Sequence, residues 1–118
     1  MQSTWANYVK KSDYDFLRAL ARTFMYYTYV LRSKKDKRLY TGSTGDLRKR
    51  FNEHNTGQNF STKSRRPFVL WYYEACWSKV DAEAREKFLK SGPGKRYLTN
   101  RLKRTLRLTG FAPLTGSP

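Results

Sequence analysis

The sequence predicts an α+β fold, a small three-stranded antiparallel β-sheet flanked by helices in the order β-β-α-β-α-α. Three observations carry this. Two short runs rich in Tyr, Val and Leu, Met25 to Arg32 and Arg38 to Gly42, are separated only by the charged turn Ser33-Lys34-Lys35-Asp36-Lys37 and read as a hairpin. Phe68 to Trp77 is a third, strongly apolar run. Between and after these runs, apolar residues recur every three or four positions, the period of a helix packed on one side.

Residues 1 to 24 contain Ser12-x-x-Asp15, a capping-box pattern, followed by Phe16, Leu17, Leu20 and Phe24 at helical spacing. They read as a short added helix or as an extension that the rest of the chain does not need. Met25 to Arg32 is apolar on both faces, as in a central strand covered on both sides. The hairpin sets Tyr29 and Tyr40 on neighbouring strands, and Gly42 removes side-chain bulk where the backbone passes close to a ligand. Asp46 opens a helix that Thr56-Gly57 closes, with Leu47 and Phe51 four residues apart on its apolar side. Arg50 and His54 share that spacing about 60° around the helix, so they flank the core.

Residues 58 to 67 form a loop bearing Lys63, Arg65 and Arg66. Ser78-x-x-Asp81 is a second capping box, opening a helix to about Lys90 with Ala82, Glu86 and Leu89 on one face. Gly92-Pro93-Gly94 is expected to break it, and Lys95 to Arg107 to form a last basic helix with Leu98, Leu102 and Leu106 in a stripe. The expected organisation is an extension over 1–24, a domain over 25–104 and a largely disordered tail over 105–118.

At 118 residues the chain supports one modest core. It carries 25 Lys and Arg against nine acidic residues, a net charge of +16, and residues 25–104 alone hold a balance of +13. The excess belongs to the domain and calls for a polyanion. Nucleic acid is the leading partner, since cations on phosphates release counterions, and acidic membrane is the weaker one. No apolar run approaches the roughly 20 residues that span a bilayer, and no signal-peptide core is present, so a soluble cytoplasmic protein is expected, nucleoid-associated by its charge. Cys76 is the only cysteine, which excludes a disulfide framework and a thiolate metal site; among Trp71, Tyr72, Tyr73 and Trp77 it reads as a buried structural thiol.

Tyr27-Thr28-Tyr29-Val30-Leu31, then Tyr40-Thr41-Gly42, then Arg50 and His54 within Asp46 to Asn55, and Glu86 within Ala84 to Gly92 form an ordered set. Over roughly residues 25 to 104 this set resembles the GIY-YIG endonuclease superfamily, in particular its small stand-alone bacterial, UPF0213-like members. The first motif departs from the family pattern: Thr28-Tyr29 stands where Ile-Tyr is expected and Tyr27 replaces the glycine. Tyr27 and Tyr29 therefore both stand as its tyrosine.

The resemblance implies a metal-dependent endonuclease that hydrolyses DNA phosphodiesters, acting on particular structures in repair or recombination. In that reading Glu86 holds one Mg²⁺ or another divalent cation such as Mn²⁺, which keeps several waters. Arg50 clamps the scissile phosphate with its planar fork. Tyr29 and Tyr40 position or deprotonate the attacking water, and His54 is an accessory to the Tyr40 phenol. Asn100 is the nearest counterpart of an asparagine that many members carry after the glutamate.

Lys63, Arg65, Arg66, Lys95, Arg96, Arg101, Lys103 and Arg104 read as a phosphate-contacting surface without base specificity. The partner is DNA, with RNA as the alternative, and a protein could serve for targeting. The competing reading is a catalytically inactive basic module that only binds nucleic acid. Each residue also has a plainer role. Arg50 can pair with Glu53 or Asp46, Glu86 with Lys90, and His54 can be a cation at a helix C-terminus. Ser91-Gly92-Pro93-Gly94-Lys95 reads as a helix breaker, since it lacks the full spacing of a phosphate loop.

Overall fold

A computed structural model describes residues 10–109. Its sheet has the strand order β2-β1-β3, with β1 (Tyr26–Ser33) in the centre, antiparallel to β2 (Leu39–Thr44) and β3 (Phe68–Cys76). The central position of β1 follows from its sequence: Thr28 to Ser33 are all buried, which only a strand covered on both faces allows. Register pairs Tyr29 with Gly42 on one side and with Tyr73 on the other. The β1–β3 register shifts between Val30 and Leu31, where β3 carries one extra residue.

Side chains alternate across β1, and the two faces make two cores. Tyr29, Leu31 and Phe68 pack with Tyr40, Leu47 and Phe51 beneath α2 (Leu47–Thr56). On the opposite face Val30 packs with Leu89, Leu98 and Leu102 from α3 (Lys79–Lys90) and the segment after it. The Thr28 hydroxyl donates to the Ala82 carbonyl at 2.8 Å, tying β1 to α3. Ser33 closes the hairpin: its hydroxyl accepts from the N–H groups of Lys35 and Asp36 and donates to the Arg65 carbonyl.

Both expected caps form. The Asp46 carboxylate accepts from the Lys49 N–H, and Gly57, at φ +81°, ends α2 in the left-handed region. Ser78 accepts from the Asp81 N–H to start α3.

Three expectations shift. The N-terminal helix α1 (Lys11–Phe24) starts earlier than Ser12-x-x-Asp15 suggests, because the Asp13 carboxylate accepts the Lys10 N–H. It buries none of its residues; its C-terminal end is held by the Tyr27 hydroxyl donating to the Ala21 carbonyl and by Phe24 stacking on Trp77. Gly92-Pro93-Gly94 does end α3, yet it also makes the first turn of α4 (Gly92–Arg101), where a proline lacks nothing the helix needs. Ser91 closes α3 and caps α4 by accepting the Gly94 N–H.

Gly94 is required by packing, since a Cβ there would stand 1.9 Å from the Phe88 carbonyl oxygen and 2.5 Å from the Leu89 Cα. The expected single helix to Arg107 is two helices, α4 and α5 (Lys103–Thr109), meeting at Leu102. Leu102 and Leu106 stay buried, so helix extends past residue 104 into the segment expected to be a tail. Residues 110–118, expected to be disordered, lie outside the described residues. Cys76 is half-buried, with its thiol donating to the Ser78 carbonyl. No helix among the described residues is long and apolar enough to cross a membrane.

Candidate active site

The β1–β2 register sets Tyr29 directly opposite Gly42. A Cβ at position 42 would lie 2.5 Å from the Tyr29 hydroxyl oxygen and 2.7 Å from its Cζ, so the glycine makes room for the phenol ring rather than for a ligand. Tyr29 is 1% exposed. Tyr27, the other candidate for the first motif, commits its hydroxyl to Ala21 and its ring to Tyr73, away from this cluster.

A chain of hydrogen bonds runs through Tyr29. Its hydroxyl lies 2.8 Å from His54 Nε2, and His54 Nδ1 lies 2.8 Å from the Thr62 hydroxyl. The polarity is fixed by the acceptors available. The Thr62 hydroxyl donates to a carbonyl and so accepts from His54 Nδ1–H, which leaves Nε2 to accept the Tyr29 proton. His54 then carries its proton on Nδ1 and donates to Thr62, whose hydroxyl faces the Asn59 carbonyl at 3.4 Å. Every buried side-chain polar atom among the described residues has a partner, which this chain requires.

Burial pushes the Tyr29 phenol up to about 12, against the Arg50 charge that lowers it, and the Tyr40 and Glu86 charges add to the rise. Burial, assisted by the Arg50 charge, brings His54 down to about 4. The imidazole is therefore neutral at physiological pH. It is fully buried, so it is not a solvated cation at the end of α2, and it bonds Tyr29, not Tyr40 as the sequence suggested. Tyr40 instead places its ring edge-on to His54, 4.8 Å between centroids, and 6.3 Å from Tyr29. Tyr40 is half-buried, whereas Tyr29 is fully buried.

Arg50 pairs with Glu53 at 3.3 Å, with 38% of its side chain exposed. Glu86 comes from α3, on the other face of the sheet, and reaches the edge strand β2, where Ser43 donates to its Oε1 at 2.7 Å. Lys90 Nζ sits 2.6 Å from Oε2. The Glu86 charge is the least of the influences on Tyr29; Glu86 stands on the α3 side of the sheet with Ser43 and Lys90, while Tyr29, Tyr40 and His54 pack together on the α2 side.

Glu86 is the carboxylate that could hold a metal. No group of three or more His, Cys, Asp or Glu side chains suited to a metal occurs among the described residues. The donors at hand are one carboxylate and the Ser43 hydroxyl, hard oxygens with a cation already seated on Oε2 in the form of the Lys90 ammonium. This set fits Mg²⁺ or Mn²⁺, ions that keep several waters and take further oxygens from a phosphate.

The surface cations divide. Lys63, Lys95, Arg96, Arg101, Lys103 and Arg104 are exposed. Arg65 is not available as expected: its guanidinium lies 2.6 Å from Asp36 and also reaches the Leu39 carbonyl, bracing the hairpin turn. Arg66 is half-buried over Gly57, with Nε donating to the Lys63 carbonyl. Asn100 lines a groove of about 290 Å³ with Arg101, Lys103 and Arg104, on the α4–α5 side. Ser43 and Thr62 were not singled out from sequence. Alternation along β2 could have found Ser43, which must face α3 if Gly42 faces α2; nothing local marks Thr62.

Comparison with known proteins shows the family. The family described as the GIY-YIG catalytic domain matches residues 25–101. A UPF0213 protein of Clostridium perfringens is 42% identical over 67 residues, 56% of this chain and 71% of that one. One from Streptococcus pyogenes is 46% identical over 65 residues, 54% of this chain and 70% of its own. The solution structure of a UPF0213 protein from Bacillus halodurans is 30% identical, covering 77% of this chain and 90% of that one, with a TM-score of 0.35. Matched over residues 25–101 of its 118, the chain belongs to the GIY-YIG family, a nuclease family, and is similar to the UPF0213 proteins of bacteria.

Proposed function

We propose that this protein is a metal-dependent endonuclease that hydrolyses phosphodiester bonds in DNA. The observation that supports this most is the family match over residues 25–101, with Tyr29, Tyr40 and His54 of its motifs packed together on the α2 side of the sheet. Arg50 donates to the scissile phosphate while its ion pair with Glu53 steadies the guanidinium, so charge developing on the phosphate oxygens meets a donor already oriented. Tyr40, the less buried phenol, positions the attacking water. Tyr29 is too buried to take the direct role the sequence suggested. His54 keeps Tyr29 pointed by accepting its proton.

Glu86 would hold Mg²⁺ or Mn²⁺ with Ser43 orienting its carboxylate, and Lys90 would have to swing aside. Such an ion, when bound, polarises the phosphate and lowers the cost of deprotonating water. The exposed cations Lys63, Lys95, Arg96, Arg101, Lys103 and Arg104 supply sequence-independent affinity for the backbone. RNA, and a protein that directs the domain to its substrate, remain compatible with the same surface. A role in repair or recombination on branched or single-stranded DNA follows only from the resemblance.

The second reading, a module that binds without cutting, is favoured by the Lys90 ion pair, which fills the place a metal would take. Purified protein with Mg²⁺ or Mn²⁺ on labelled single-stranded, duplex and branched DNA separates the two. The nuclease reading expects cleavage that Glu86→Ala and Tyr40→Phe abolish while binding persists. Intact substrates under wild type with every divalent ion would leave the binding module.

A further inference from the structure

The loop between α2 and β3 carries Phe60, whose ring is 94% exposed, the highest exposure among the large apolar side chains of the described residues. We propose that Phe60 is a stacking platform for an unpaired base, and that the groove beside it holds the flanking phosphates of a single strand. The proposal rests on the nucleic-acid reading above but not on catalysis.

Three features argue for it. The first is charge. Phe60 borders a groove of about 810 Å³ whose lining includes Lys35, Lys63 and Arg66 and no carboxylate. An aromatic ring among cations suits a nucleotide, whose base needs a π-face and whose phosphate needs a positive neighbour. A protein-docking site would instead surround the ring with apolar side chains, and Pro67 is the one other apolar residue of this lining, beside Lys35, Asn55, Ser61, Lys63, Ser64 and Arg66.

The second feature is order. Phe60 sits at the apex of a tied turn: Asn59 Oδ1 accepts from the Ser61 N–H and hydroxyl, and the Thr62 N–H donates to the Asn59 carbonyl. Thr62 is fully buried, and the Gln58 N–H donates to the Glu53 carbonyl. The ring is thus presented by a turn that need not be ordered on binding, which removes an entropic cost.

The third is placement. Thr62, two residues from Phe60, is the partner of His54, whose other nitrogen accepts from Tyr29. The turn that presents Phe60 is thereby tied through one imidazole and two hydrogen bonds to the Tyr29 phenol. Because bases inside a duplex are already stacked and enclosed, the ring can engage only an unpaired base or an end. The platform would therefore discriminate strandedness, not sequence.

The test is binding, measured without added metal so that cleavage plays no part. Fluorescence anisotropy compares a labelled single strand with the same sequence as a closed hairpin duplex, for wild type, Phe60→Ala, Phe60→Trp and Lys63→Ala. At its exposure Phe60 supports no core, so its variants should fold as wild type, checked by circular dichroism. The expected result is that Phe60→Ala weakens single-strand binding on the order of tenfold with duplex binding unchanged, and that Phe60→Trp restores it. Lys63→Ala should weaken both.

Equal binding by Phe60→Ala and wild type overturns the proposal, and then the exposed ring serves a protein partner. Equal loss on both substrates also overturns it. A protein that cuts nothing yet shows the selective loss keeps this inference and loses the nuclease reading; one that cuts normally while Phe60→Ala binds as wild type does the reverse.

Discussion

Acid should destabilise this fold through His54 well before it reaches the carboxylates. The imidazole is fully buried, bonded on both nitrogens and brought down to about 4, against about 6.5 when the chain is unfolded. Between those values the unfolded chain binds a proton that the folded one refuses, so stability falls as pH drops through this window and is fully present above it. A shift of about 2.5 units at about 1.4 kcal/mol each gives a loss of roughly 3 kcal/mol, a large share of the stability of a small domain. Urea unfolding from pH 7.5 to 4 checks it. Wild type should lose most of that amount, while His54→Gln, which cannot titrate, should start less stable but stay nearly flat over the same range. Parallel curves for the two proteins would refute the buried neutral imidazole and the polarity of the chain from Tyr29 to Thr62.

Other consequences are as direct. Gly42→Ala places a methyl 2.5 Å from the Tyr29 hydroxyl oxygen, and thermal melting should show a destabilisation of about 1–3 kcal/mol as the phenol is pushed off His54. Lys90→Ala removes the ammonium from Glu86 Oε2 and should tighten Mn²⁺ binding about two- to fivefold by calorimetry, the scale of a half-exposed ion pair; unchanged affinity would mean that the ion binds elsewhere. Replacing Lys103 and Arg104 by Ala should weaken duplex binding uniformly across sequences and flatten its salt dependence by about 0.9 for each phosphate that is no longer neutralised, read from affinities at several salt concentrations.

The parts of the fold that were legible in the sequence are those specified locally. The hairpin turn, the Asp46 and Ser78 caps and the Gly57 stop each rest on a few adjacent residues, and each forms where expected. What the sequence hid depends on contacts between distant residues. Gly92-Pro93-Gly94 looks like a break, and its role as the first turn of α4 emerges only when Gly94 packs on the backbone of Phe88 and Leu89. Leu98, Leu102 and Leu106 form one stripe in sequence and keep their burial across the junction of two helices, so periodicity alone could not reveal the joint.

The same division runs through the site. Arg50 and His54 four residues apart announce a shared helix side, and alternation places Tyr29 beside Tyr40. The burial of Tyr29 depends on the register that sets it over Gly42. Arg65 reads as one more phosphate ligand until the fold brings Asp36 to it. That ion pair holds the Asp36 carboxyl down to about 2, mainly through its hydrogen bond with Arg65, so its stabilisation persists until pH falls below about 4, beneath the His54 window.

The central claim is that Arg50, Tyr40 and Glu86 together carry out hydrolysis. Single-turnover cleavage of a saturating labelled DNA with Mg²⁺, with binding read in the same samples, tests it most directly in Arg50→Lys. Lysine keeps the charge but not the planar fork that Arg50 presents beside Glu53. Arg50→Lys is expected to bind within about twofold of wild type and to cleave at a rate reduced on the order of a hundredfold or more. Wild-type cleavage by Arg50→Lys would contradict the claim, and would place the chemistry away from the Tyr29 cluster.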